Sequence, residues 1–146
     1  MDCRDYLVLA EELSLRTSAA CWRTAVSRAY YSAFHRTREF LANLGFRTRQ
    51  SDQAHAGLYR RLSSSNVREL NEAARLLMEL RRIRNQADYE FNKALPKTEA
   101  IKSIDHATQI FEMLDGHCEP ESLVSMTDTI RAYERDVLRE VTWHAP

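Results

Sequence analysis

Glycine, proline and cysteine are all scarce in this 146-residue chain, which holds three of each. So few glycines and prolines cannot supply the repeated tight turns of a sandwich or barrel, which argues against an all-β fold. Cys3, Cys21 and Cys118 are odd in number and widely spaced, matching neither a disulfide framework nor a Cys-x-x-Cys metal or redox motif. A reducing, cytoplasmic setting is the expectation. No apolar run approaches the roughly 18 residues of a membrane-spanning helix. The opening stretch MDCRDYLVLAEEL breaks its apolar positions with charge every few places, so neither secretion nor a membrane partner is expected.

Net charge is missing too, because 21 bases balance 21 acids. The balance hides an asymmetry along the chain. Residues 47–93 carry nine Arg and one Lys against six acids, whereas residues 94–146 carry five bases against ten acids. Most of the cations are Arg, which grips phosphate bidentately and stacks on bases, so the basic middle is a candidate nucleic-acid contact. A solvated helical surface is the plainer reading of the same charge.

What is abundant is helical periodicity, and 44% hydrophobic residues suffice for a core. Tyr6 to Arg16 is a short amphipathic segment. Ser18 is placed to cap a long helix that runs to about Leu44 and ends at Gly45. Trp22, Val26, Ala29, Tyr30, Ala33, Thr37, Phe40, Leu41 and Leu44 share one face of it, with Arg28, Tyr31, Ser32, His35 and Glu39 opposite. Phe46 to Gln53 reads as a loop and Ala54 to Leu62 as a short helix that Ser63 to Ser65 breaks. Asn66 is placed to cap a fourth helix, Val67 to Phe91, whose core stripe is Ala73, Leu76, Leu77, Leu80, Ile83, Ala87 and Phe91. Pro96 opens a fifth, Lys97 to about Leu114, and Leu123 to Val141 is a further amphipathic segment. The expected fold is all-α: an up-and-down bundle of about five helices over residues 1–118, with residues 119–146 as a C-terminal helical extension packing on the bundle or on a partner.

One position stands out on the fourth helix. Arg84 projects between Leu80 and Leu77, inside the apolar sector, and an unpaired buried guanidinium is costly. It needs an anion, a set of carbonyls or a wet cleft, and Asp88 one turn on is the nearest partner. An Arg84–Asp88 pair that only braces the helix is the bland reading. Arg81 and Arg82 make the local field positive.

LRRIRNQADYEF (Leu80 to Phe91), preceded by AVSRAYYSAF (Ala25 to Phe34), resembles the HEPN superfamily of prokaryotic helical-bundle proteins, and within it the UPF0332-like branch. AHAGL (Ala54 to Leu58) resembles a short His-containing segment of the same branch. The resemblance covers about residues 4–115. It implies a homodimeric bundle, a metal-independent endoribonuclease acting as toxin or effector in a toxin–antitoxin or defence module, and a minimal nucleotidyltransferase as partner. The superfamily's catalytic signature is Arg-x(4–6)-His. Arg84 matches the Arg and Asn85 the polar residue that often follows, but Tyr89, Glu90 and Phe91 stand where the His belongs. Imidazole is the side chain suited to proton transfer near neutrality, so its loss bears directly on catalysis. Asp88 as base and Tyr89 as acid are the replacements at hand. Free aspartate titrates near ~3.9 and tyrosine near ~10, both far from neutral pH.

Two readings therefore stand together. In one, Arg84, Asp88 and Tyr89 are catalytic and Arg81, Arg82, Asn85 and His55 contact RNA. In the other, a non-catalytic module binds RNA, a nucleotide or a partner protein. Arg28, Tyr31 and His35 are the expected dimer contacts. His117 beside Cys118 lacks further ligands at metal spacing, so no metal and no cofactor is expected.

Overall fold

The structure, a computed structural model, describes residues 1–48, 54–117 and 119–146. Residues 49–53, most of the expected loop, and Cys118 lie outside the described residues. What is described is all-helical: α1 (Cys3–Ser14), α2 (Ala19–Asn43), α3 (Ala54–Ser63), α4 (Arg68–Tyr89), α5 (Lys97–Asp115) and α6 (Pro120–Tyr133), followed by one π-turn (Glu134–Leu138). Two compact units are formed. The first comprises Met1–Arg36 with Leu76–Phe111, the second Thr37–Arg75 with Glu112–Pro146. None of the described helices is long and apolar enough to cross a membrane.

In the first unit α1 begins three residues earlier than its apolar pattern suggests, because Asp2 builds a capping box. Its carboxylate accepts the Arg4 N–H at 2.8 Å while Asp5 accepts the Asp2 N–H at 3.0 Å. The Arg4 N–H holds the Asp2 carboxyl below its ordinary 3.8. A lowered folded-state value means that the cap contributes in full above the unfolded value and is lost as pH falls through the folded one. We expect the Arg4 amide resonance to titrate below pH 3.8 in the wild type. It should stay flat in Asp2→Asn, since Asn caps without ionising.

The apolar stripes close the first unit's core. Ala25, Val26, Ala29, Tyr30 and Ala33 of α2 are buried with Leu76, Leu77, Leu80, Ile83 and Ala87 of α4 and with Ala100, Ala107 and Ile110 of α5. Three positions depart from the single-helix wheel. Ser32, expected on the polar face, is fully buried because α1 covers it, and its hydroxyl donates to the Cys3 carbonyl at 2.9 Å. Trp22, expected in the core, is half-buried with its indole N–H on the Arg16 carbonyl at 2.7 Å. Phe91 is 79% exposed, since α4 stops at Tyr89.

Arg23 accounts for that stop. Its guanidinium donates to the carbonyls of Gln86 (3.1 Å), Ala87 (2.9 Å), Glu90 (3.4 Å) and Lys93, while Phe91 packs against it at 5.5 Å. The last carbonyls of a helix lack intrahelical donors, and here one cation donates to several carbonyls at and just beyond the negative end of the dipole. Two of these, the carbonyls of Gln86 and Glu90, also accept backbone N–H groups.

The second unit holds Phe40, Leu41, Leu58, Leu62, Leu70, Ala73, Leu114, Met126 and Ile130 in its core. Asn66 does not cap α4: it lies one residue too early, in the left-handed region at φ 59°, and the Val67 carbonyl takes the first helical bond from the Asn71 N–H. The C-terminal segment is shorter as a helix than its periodicity suggests. After α6 the π-turn ends at Arg139, φ 51°, and the chain reverses so that Trp143 forms an isolated antiparallel bridge with Phe46. The Trp143 indole N–H donates to the Leu44 carbonyl at 2.9 Å and the His144 N–H to the Gly45 carbonyl at 2.8 Å. Gly45 sits at φ 106°, and a Cβ there would come within 2.5 Å of the His144 carbonyl oxygen, so only glycine fits the crossing.

Candidate functional site

Arg84 meets the need inferred from its place in the apolar sector with aromatic faces. Residues of α2 present Tyr30 and Tyr31 to α4 within the first unit, and the Arg84 guanidinium lies 5.0 Å from the Tyr30 ring centroid and 5.4 Å from that of Tyr31. Ring quadrupoles offset part of the cost of taking the cation out of water. Arg84 is 6% exposed. Its Nη1 is 3.9 Å from Asp88 Oδ2, an ion-pair distance too long for a hydrogen bond, and its buried Nε has no acceptor among the described residues.

Asp88 is held from the other side. The Ser27 hydroxyl donates to the same Oδ2 at 3.3 Å, and Arg28 Nη2 donates to the Ser27 oxygen at 3.3 Å. Arg28 in turn lies 4.8 Å over Tyr6 and 5.3 Å over Tyr31. His35 joins this cluster, its ring 6.2 Å from Tyr6, 6.3 Å from Tyr31 and 5.2 Å from Phe34. Burial pushes the Tyr30 phenol up to about 12, against the pull of Arg84 and Arg81. Tyr30 is therefore a neutral hydroxyl at any physiological pH.

The expected site residues thus divide. Arg84, Asp88, Arg28, Tyr31 and His35 come together, and Arg81 lies close enough to Tyr30 to act on its ionisation, with a buried Nε that has no acceptor among the described residues. Arg82 is committed elsewhere: Glu79 takes its Nε and Nη2 at 3.0 and 2.8 Å, and this guanidinium holds the Glu79 carboxyl below its usual range. Asn85 is exposed on α4. Tyr89 is 75% exposed, and at five residues from Arg84 it falls on a different face of the helix. His55 is on α3, in the second unit.

Two contributors escape a reading by single helices: Ser27 and Tyr6. Ser27 is buried and lies in the AVSRAYYSAF stretch, one residue before Arg28, so its polar hydroxyl on a largely apolar face was the available signal. Tyr6 had no such signal, because its role depends on where α1 docks. Among the described residues no group of three or more His, Cys, Asp or Glu side chains is gathered as a metal site would need.

No curated protein and no solved structure matches the chain. A family model does: HEPN domain, over residues 9–117. That span takes in α2 and α4 whole, and with them Arg23, Ser27, Arg28, Tyr30, Tyr31, Arg84 and Asp88. Covering well over half of the sequence, the match shows that the chain belongs to the HEPN family.

Proposed function

We propose that this HEPN protein binds RNA through the cationic face around Arg84 and does not cleave it. One observation carries the reading: two guanidiniums, Arg28 and Arg84, share a single carboxylate, Arg81 lies close enough to Tyr30 to act on its ionisation, and Arg81 and Arg84 each keep a buried Nε–H with no acceptor among the described residues. Unsatisfied buried donors on a cation are expensive, and phosphate oxygens satisfy them well. Binding draws on that surplus of charge, whereas cleavage also requires a proton-transfer group near neutrality, and the motif position holds an exposed tyrosine instead. The reading brings with it the setting that the family resemblance implies: a homodimer, with a minimal nucleotidyltransferase as partner in a toxin–antitoxin or defence module.

A second reading, metal-independent cleavage, is favoured by His35. Its imidazole shares the Tyr31 ring with Arg84 and so stands one side chain away from it.

Fluorescence anisotropy with a short labelled single-stranded RNA in EDTA tests both, with the same mixtures run on a gel. We expect binding at low salt, intact RNA after prolonged incubation, and at least tenfold weaker binding by the Arg81→Ala/Arg84→Ala double variant of unchanged circular dichroism. Cleavage that His35→Ala abolishes would establish the second reading in its place. Absence of binding at low salt would leave the cluster as a structural brace.

A further inference from the structure

Arg28 is the unexplained member of the cluster. It is half-buried on α2 and, among the described residues, has no carboxylate of its own. Its guanidinium is nonetheless fixed in orientation, stacked on Tyr6 and Tyr31 and tied by one N–H to Ser27. Arg84 approaches the same Tyr31 ring from α4, at 5.4 Å against 5.3 Å for Arg28. Both cations converge on one anion: Arg84 directly, at 3.9 Å from Asp88 Oδ2, and Arg28 through Ser27, whose hydroxyl donates to that same oxygen. One carboxylate therefore serves two guanidiniums, and neither is saturated.

We propose that Arg28 and Arg84 form a two-armed grip on a phosphodiester, Arg84 as the buried arm and Arg28 as the arm that reaches solvent. The grip rests on the RNA-binding reading and specifies how the RNA backbone is held. A planar guanidinium locked by two rings has already lost much of the freedom that a free side chain gives up on binding, and its fork matches two phosphate oxygens. Lysine offers charge without the fork. Phosphate binding through Arg28 also releases counterions, so Arg28 contributes to the salt dependence of affinity as well as to its strength.

The experiment measures RNA affinity by anisotropy across a salt series for wild type, Arg28→Met and Arg28→Lys, with light scattering and thermal melting on each protein. Met keeps the stem that packs on Tyr6 and Tyr31. The expected result is at least tenfold weaker binding by Arg28→Met, with the slope of log affinity against log salt shallower by about 0.7. Mass and melting temperature stay those of the wild type. Arg28→Lys should restore the slope and only part of the affinity.

Wild-type affinity and slope in Arg28→Met, while the Arg81→Ala/Arg84→Ala variant loses binding, would overturn the grip and leave RNA binding standing. Wild-type affinity in both would overturn RNA binding through the face around Arg84. A fall in mass alongside affinity would make Arg28 a contact between copies and overturn the grip. If Arg28→Met fails to fold, Arg28→Lys decides: wild-type affinity there overturns the two-armed geometry, and weakened binding with an unchanged slope supports it. Inorganic phosphate titrated alone separates the ligand sources, since phosphate binding without RNA binding would overturn the assignment to RNA.

Discussion

Replacing Glu134 by Ala should cost the second unit about 3–5 kcal/mol, the loss expected when one partner of a buried ion pair is removed and the other is left uncompensated. Glu134 Oε2 is 2.8 Å from Arg61 Nε, and the two side chains are 1% and 3% exposed. The carboxylate also accepts the Thr142 N–H, at 3.2 and 3.3 Å to its two oxygens, and the Thr142 hydroxyl. Arg61 has little else: Nη1 donates to the Gly57 carbonyl at 3.1 Å and the buried Nη2 has no acceptor among the described residues. Without Glu134 the guanidinium has no anion among the described residues, and the returning C-terminal tail loses the acceptor that holds Thr142 beside Arg47. Urea denaturation should register the loss as a lower midpoint. Arg61→Met/Glu134→Leu should recover most of it, because replacing both members of a buried pair by apolar side chains is often neutral or stabilising. A Glu134→Ala cost below about 1 kcal/mol would mean that the tail and the pair are open to water in solution.

That pair shows where reading by sequence stopped. Glu134 falls within the amphipathic stretch Leu123 to Val141, and nothing in a helical pattern announces a π-turn, a left-handed Arg139 and a reversal back onto Gly45. Its partner is 73 residues away. The α4 stripe was legible because Leu76, Leu77, Leu80, Ile83 and Ala87 repeat at the helical period, and the same wheel identified Arg84 as a cation in an apolar sector. The wheel gives a direction and no neighbour. Whether a carboxylate, a carbonyl or a ring lies in that direction depends on the element packed there, and the answer, Tyr30 and Tyr31, came from a helix whose own wheel placed Tyr31 opposite the core. Ser32 and Phe91 departed from their wheels for the same kind of reason. One was covered by α1 and the other released by the Arg23 cap.

Asp88→Asn should tighten RNA binding by about tenfold, and the direction of this change sets binding against cleavage more sharply than its size. The Asn side-chain oxygen can still accept from Ser27, so the hydrogen-bonded chain from Arg28 persists. Because the Arg84–Asp88 pair is long at 3.9 Å and the Asp88 side chain is 30% exposed, its loss should cost the fold far less than that of the buried Arg61–Glu134 pair. What disappears is the negative charge in the middle of the cationic cluster. A phosphate held by Arg84 about 8 Å from that carboxylate would feel a repulsion of about 2 kcal/mol at an effective dielectric of about 20, less after screening by salt. Removing it returns about 1.4 kcal/mol, or tenfold in affinity. The gain should shrink as ionic strength rises, since the Debye length falls from about 10 Å at 0.1 M to about 3 Å at 1 M. A general base behaves in the opposite way: its amide would leave affinity little changed and take turnover away. Anisotropy at several salt concentrations, paired with gels of the same samples in EDTA, reads both quantities from one titration. Affinity that does not move in a folded Asp88→Asn protein would place the phosphate out of reach of Asp88, and with it out of reach of the Arg84 guanidinium beside it.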